Sequence, residues 1–280
     1  MIIALFPSEK KKEAMPLAIE ITKFLKQHNV TVVAEENVAK LINVASLSSI
    51  DMGKIDFLIC IGGDGTILRL SHKYRDLKAA ILGINLGYLG FMADIPICDI
   101  YPSLQDLISG DYKIENRIML EGVTTRGKSY YASNDIVIHR GKNHSLIEVA
   151  LHIDTTYVNT FIADGIIIAT PNGSTAYSLS AGGPILSPKI EAFVITPICP
   201  HTISNRPIVI TADAKIQLHY LSSYDNPAET HIDGTEHILL HTNDTLTIRK
   251  STHFFKLVKL NRHDFYSTLR TKLNWSGKSK

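Results

Sequence analysis

The chain has 280 residues, 45% of them hydrophobic and 20% charged, with a formal net charge of +2 at pH 7. Single cores usually stop growing near ~250–300 residues, so one or two compact domains fit this length, and the composition excludes a disordered, collagenous or coiled-coil chain. The basic residues are dispersed, which leaves no field of one sign to bind nucleic acid or an anionic membrane, so any phosphate binding has to be local.

The first elements alternate in type. A short apolar β run over 2–6 lacks the leading positive segment and the length of a signal sequence. A helix is predicted over 13–28, strands over 30–34 and 57–61, a helix over 66–74 and a strand over 80–82. Such alternation predicts parallel strands with crossover helices, a doubly wound, Rossmann-like α/β layer. After a helix over 102–109 the texture changes. From 112 to about 263 the chain reads as short alternating strands, among them 136–138, 148–153, 166–169 and 246–249, separated by Gly, Asn, Asp and Pro turns. Phe265, Leu269 and Leu273 then give a helical spacing over 264–275. The expected organisation is an α/β domain over 1–110, a β-rich domain over 111–263, and a C-terminal helix over 264–280 that packs back on the first domain.

Cys60, Cys98 and Cys199 are odd in number, far apart and set in apolar stretches. They read as buried structural thiols in a reducing compartment, not as a disulfide framework or zinc site. No stretch approaches the ~20 apolar residues of a membrane helix. The expectation is a cytoplasmic protein without membrane or nucleic-acid partners. The twelve histidines show no metal framework. His237 and His241 are four apart, but in a strand-like stretch where that spacing is less compelling than on a helix, and His201 reads as structural.

The strongest local signal is the apolar run 57–61 followed by Gly62-Gly63-Asp64-Gly65-Thr66 and a helix. A buried strand that ends in glycines before a helix N-terminus offers backbone amides and about half a positive charge to an anion. An aspartate there repels phosphate unless it holds Mg²⁺ or accepts a proton from an attacking hydroxyl, which is the work of phosphoryl transfer. The plainer reading is a glycine turn with Asp64 as helix cap. A second glycine string, Gly83 to Phe91, follows the next strand, and backbone packing explains it about as well as a ligand does. Thr170-Pro171-Asn172-Gly173-Ser174-Thr175-Ala176-Tyr177-Ser178-Leu179-Ser180, continuing to Pro184, is a hydroxyl-rich turn into a short helix, with Tyr177 placed to stack on a base or to sit in the core. Asn134-Asp135 could read a purine edge and ribose hydroxyls, or simply open a strand. Gly122 to Ser129 matches the P-loop pattern, but β and turn residues follow where that mechanism needs a helix, so 125–128 reads as a hairpin turn.

Taken in order, these strings resemble the NAD kinase family: GGDGT at 62–66, Asn85-Leu86-Gly87-Tyr88-Leu89-Gly90-Phe91, Asn134-Asp135, Asp164-Gly165 with 170–184, then 197–207 and Asp233-Gly234. GGDGT alone is shared with lipid kinases and phosphofructokinases, whereas the 170–184 string is far more specific. The resemblance implies ATP-dependent phosphorylation of the 2′-hydroxyl on the adenosine ribose of NAD, with NAD bound between the two domains. It makes Asp64 the base that helps deprotonate that hydroxyl. It carries NAD contacts onto Asp64, Gly65, Arg69, Asn134, Asp135, Ser145, Asp164, Thr175, Ala176, Tyr177, Ser178, Leu179 and Ser180, and donor phosphate contacts onto Gly62, Gly63, Gly65 and Thr66. Mg²⁺ is expected through the nucleotide with no protein metal site, and a homodimer or homotetramer is implied. Ile162 and Ser145 stand where many relatives carry basic or polar groups, which leaves NAD against NADH open, as is ATP against polyphosphate. The competing readings are a lipid kinase, which needs an apolar groove, and a non-catalytic NAD or NADP sensor, which leaves Asp64 without a purpose.

Overall fold

A computed structural model describes residues 1–142, 144–221 and 226–275. In chain order the elements are β1 (Ile2–Pro7), α1 (Ala14–Gln27), β2 (Thr31–Ala34), α2 (Glu36–Ile42), β3 (Ala45–Ser46), β4 (Phe57–Gly62), α3 (Asp64–Lys73), β5 (Ala80–Asn85) and α4 (Ile100–Ser109). There follow β6 (Tyr112–Thr124), β7 (Ser129–Ala132), β8 (Asp135–His139), β9 (Ile147–Ile153), β10 (Thr156–Ala163), β11 (Gly165–Ala169), α5 (Tyr177–Ser180), β12 (Ala192–Ile198) and β13 (Ile208–Thr211). The last are β14 (Ile216–Tyr220), β15 (Ala228–Ile232), β16 (Glu236–Leu240), β17 (Thr245–Leu260) and α6 (Phe265–Lys272).

The chain forms two compact units. The first holds residues 1–116 together with 256 onward, and the second holds 117–255. The expected limits at 110 and 263 lie in turns, whereas the chain changes unit inside β6 and β17, two long strands without Pro or Gly at the changeover. Periodicity does not mark such a point, because the strand pattern continues through it. Residues 276–280 of the expected C-terminal helix lie outside the described residues.

In the first unit β1 pairs in parallel with β2 and β4, β4 with β5, β2 with β3, and β5 with the end of β17 through Ile81 and Leu257. Two faces are covered. Ile3, Leu5, Ile59, Ile61 and Leu82 pack with Ala18, Ile21 and Leu25 of α1 and Leu104 and Leu107 of α4. Strand side chains alternate, so Gly83 points the other way, and there Ile67 of α3 stands so close that a Cβ at position 83 would lie 2.6 Å from its Cδ1. This is a doubly wound sheet, with helices on both faces. α6 belongs to this unit: Lys272 donates to the Leu89 carbonyl at 2.8 Å, and the Phe265 and Phe91 rings lie 5.9 Å apart. Its start is set by Asp264, whose carboxylate accepts from the Tyr266 and Ser267 amides at 2.9 and 3.0 Å.

The second unit is β-rich. One sheet runs β13-β12-β11-β8-β15-β16, antiparallel throughout, and β10-β9-β14 with β17, β6 and β7 form another layer. Ile136, Ile166, Ile168 and Phe193 from the first sheet share one core with Leu120, Val149, Leu151 and Leu218 from the other. The opposite face of the β8–β11–β12 region carries Val137, Ile167, Ala169 and Val194, which pack under Leu186. Gly122 to Ser129 is a hairpin: β6 and β7 pair antiparallel, Thr124 donates to the Lys128 carbonyl, and Gly127 donates to Thr124. No helix follows Lys128, so no P-loop exists here.

The cysteine expectation holds in part. Cys60 is buried in β4, and burial pushes its thiol up to about 12, as suits an inert structural residue. Cys98 and Cys199 are exposed. Cys98 lies in the turn before α4 and Cys199 sits at φ 44° just past β12, so both fall at the ends of apolar runs, outside the packed strands. Among the described residues no helix is long and apolar enough to cross a membrane.

Candidate active site

β1, β4 and β5 are parallel and in register, Pro7 opposite Ile61 and Gly62 opposite Asn85, so their C-terminal ends finish along one edge. That edge gathers the first glycine loop and the second. Gly62 has no room for a side chain, because a Cβ would lie 2.7 Å from Thr66 Oγ1. At Gly63 and Gly65 a Cβ would meet nothing within 4 Å, so the backbone there faces open space. α3 begins at Asp64, and its first amides have no intrahelical acceptor, so they are the donors a helix start offers to an anion.

Asp64 does not cap its helix. Gly63 is the N-cap residue, and the Asp64 carboxylate instead accepts three backbone amides of the second glycine string: Phe91 at 2.9 Å to Oδ2, Met92 at 3.1 Å and Ala93 at 2.8 Å to Oδ1. The two glycine loops are thus tied together through this one side chain. Asn85 helps by donating to the Ala93 carbonyl at 3.0 Å, and Lys11 donates to the Leu86 carbonyl. Gly90 is required by the approach of Asp64, since a Cβ there would stand 2.1 Å from Oδ1. Gly90→Ala should therefore dislodge the Asp64 carboxylate and lower turnover as strongly as changes to Asp64 itself; unchanged kcat would show that this carboxylate position is not needed.

In the second unit, Asp233 organises the Asn134-Asp135 element. Its backbone is left-handed, at φ 48°, and its carboxylate accepts the Ser133, Asn134 and Asp135 amides at 2.7, 2.8 and 2.9 Å. The 170–175 turn docks on the same point. Thr170 Oγ1 donates to the Ser133 carbonyl at 2.6 Å, the Asn172 carboxamide donates to Asn134 Oδ1 at 2.6 Å, and a Cβ at Gly173 would lie 2.1 Å from the Asn134 carbonyl oxygen. Around this knot opens a cavity of about 490 Å³, walled by Asn134, Asp135, Val137, His139, Ala176, Tyr177, His231, Asp233 and Gly234. Asp135 is 7% exposed, and burial together with the Asp233 charge pushes its carboxyl up to about 7.

The structure therefore brings Asn134, Asp135, Ala176 and Tyr177 to one cavity in the second unit. It disposes other candidates differently. Thr175 donates to the Asn172 carbonyl, and Asp164 is ion-paired with Arg140 at 2.8 Å. Ser178 is fully buried, its hydroxyl paired with Thr196 at 2.9 Å, so its side chain serves the core and is not offered to a ligand. Leu179 is half-buried and Ser180 exposed on the single turn of α5. Ser145 is exposed between β8 and β9 and does not line the cavity. Arg69 is on α3 and walls a separate small cavity of about 180 Å³ with Glu35 and Lys73. Sequence reasoning passed over Val137, His139 and His231. The first two share the face of Asp135 at i+2 and i+4, a signal that alternation carries, while His231 reaches the wall only because β15 pairs with β8 opposite Val137.

The chain is similar to known proteins along its whole length. Residues 3–112 match the ATP-NAD kinase N-terminal domain and residues 133–260 the ATP-NAD kinase C-terminal domain. The NAD kinase of Protochlamydia amoebophila is 53% identical over 279 residues, covering 100% of both chains, and that of Geotalea daltonii is 36% identical over 279 residues, covering 98% of each. Among solved structures, yeast NADH kinase complexed with NADH superposes with a TM-score of 0.89 at 25% identity, over 100% of this chain and 89% of that one. An NAD kinase from Archaeoglobus fulgidus in complex with ATP gives a TM-score of 0.74 at 25% identity, over 98% of each chain. The chain belongs to the NAD kinase family, the phosphotransferases that convert NAD to NADP.

Proposed function

We propose that this chain transfers the γ-phosphoryl group of ATP to the 2′-hydroxyl of the adenosine ribose of NAD, with Asp64 accepting the hydroxyl proton. The observation that carries the reading is the fixed Asp64 carboxylate beside an open glycine loop at a helix start. An ionised carboxylate offers about four lone-pair directions. Three are used by the Phe91, Met92 and Ala93 amides, two of them on Oδ1, which leaves the free one on Oδ2. Oδ2 is the atom that takes the proton.

The amides of Gly63 and Gly65 and the start of α3 hold the triphosphate, while the cavity at Asn134, Asp135 and Tyr177 holds the dinucleotide. In this scheme Asn134 and Asp135 bond base edge or ribose hydroxyls and Tyr177 covers an aromatic ring. Mg²⁺ would arrive with the nucleotide and neutralise triphosphate charge, leaving the one free direction on Asp64 Oδ2 to the hydroxyl proton. In this reading the chain is cytoplasmic, supported by its three free cysteines, and a homodimer or homotetramer, supported by the family resemblance; light scattering on a sizing column measures the latter. The test of function is incubation of purified protein with NAD, ATP and Mg²⁺, with NADP read by an NADP-specific dehydrogenase. NADP should accumulate. None with ATP or polyphosphate would leave a dinucleotide-binding protein without kinase activity.

A further inference from the structure

Among the described residues, one cluster outside the glycine loops has the chemistry of a metal site. β15 and β16 form an antiparallel ribbon in which His231 stands directly opposite His237, and Glu229 lies two residues before His231 on the same strand. Alternation places Glu229 and His231 on one face, and register adds His237 to it. Glu229 Oε2 is 3.5 Å from His231 Nε2 and 3.7 Å from His237 Nε2, and ligand atoms of all three lie within 4.8 Å of one another. The two imidazole rings are 5.1 Å apart and tilted by 47°, so they converge without stacking.

We propose that Glu229, His231 and His237 form a binding site for a zinc-class transition-metal ion, with its fourth position open to the cavity that His231 lines. Zinc bonds to His nitrogen and carboxylate oxygen are about 2.0–2.2 Å, so the ligand atoms of a tetrahedral site stand about 3.3–3.5 Å apart. Both Glu–His separations are already close to that spacing, and only the histidine pair has to draw together. Two imidazoles and one carboxylate suit zinc, cobalt or nickel, while Mg²⁺ demands mostly oxygen ligands and discriminates against the set. Glu229 is the less exposed partner, with 26% of its side chain accessible against 40% and 48% for the histidines, so the ion would have a carboxylate floor and an accessible side. Gly141 contributes to that floor: a Cβ there would lie 2.5 Å from Glu229 Cδ, so any larger residue displaces the carboxylate. In chain order the three residues show no metal-ligand spacing, which is why the histidines read as unconnected until strand register pairs them. The site stands on that register alone and is independent of the kinase reading.

The test is zinc titration of the chelator-stripped full chain against a chromophoric chelator, repeated with cobalt to read tetrahedral absorption bands. One ion per chain should bind, excess Mg²⁺ should not displace it, and cobalt should give the bands. His237→Asn and Glu229→Gln should each weaken binding by more than the roughly 10-fold that loss of an outer-shell partner costs. His144→Asn, an exposed histidine elsewhere, should leave it unchanged. Circular dichroism of the metal-free variants establishes folding, and either folded variant is sufficient. No bound ion, or binding unmoved in a folded variant, would overturn the site.

Discussion

Asp64→Asn is expected to lower kcat by roughly 10²–10⁴-fold, the usual worth of general-base help to a poorly acidic hydroxyl, while NAD still binds. The substitution also has a structural cost. A carboxamide has one acceptor oxygen, and its amino group would face an amide of Phe91, Met92 or Ala93, all three of which donate to the carboxylate. Leaving one such donor unpaired costs ~1–3 kcal/mol. A chain of this size should then melt several degrees lower, given roughly 2–4 °C per kcal/mol. The two effects separate by measurement. Single-turnover rates at saturating ATP and NAD report the chemistry, equilibrium binding of NAD reports the ground state, and thermal melts report the loop. If NAD affinity falls as much as turnover, Asp64 binds substrate and is not the base. If the melt is unchanged, the three amides find other acceptors and the tie between the glycine loops is weaker than its geometry indicates.

The sequence shows the two ends of that tie but not the tie. Residues 57–66 are legible because an apolar run, two glycines and a helix pattern each have a local cause. That Asp64 turns away from its own helix toward Phe91 to Ala93 depends on β4 and β5 lying side by side, a contact that no spacing encodes. α2 goes unread because seven residues give a helical pattern too little length to stand out. The burial of the Ser178 side chain goes unread for a related reason: in a string of small polar residues nothing distinguishes the hydroxyl that meets Thr196 from those that face outward. Glu229, His231 and His237 are the extreme case. Their proximity is created by pairing across a turn whose Asp233 is itself held by amides from around position 134.

The second large effect concerns Asp135 and pH. Its carboxyl keeps its proton to about 7 in the folded protein because of burial and the neighbouring Asp233 charge, against ~3.9 in an unfolded chain. Below pH ~4 both states are protonated and the group contributes no pH dependence. As pH rises from there toward 7, the unfolded chain gives up its proton while the folded one retains it, so folding loses up to ~1.4 kcal/mol per pH unit. Above about 7 both are ionised and the cost, of order 4 kcal/mol as an upper figure, stays constant. Asp135→Asn removes the titration. Its melting temperature should therefore gain on the wild type steadily between pH 4 and 7 and hold that gain above 7; a gap that does not change with pH would mean Asp135 ionises normally in the folded state. Function should move in the opposite direction. Hydroxyls of a bound ribose donate better to a carboxylate than to its acid, so the KM for NAD in the wild type should fall as pH rises through about 7, while in Asp135→Asn it should be higher and flat across that range. On the proposed function, a buried acid that destabilises the fold at neutral pH would be accounted for by what it binds, since ribose hydroxyls would donate to the carboxylate that burial and the Asp233 charge disfavour.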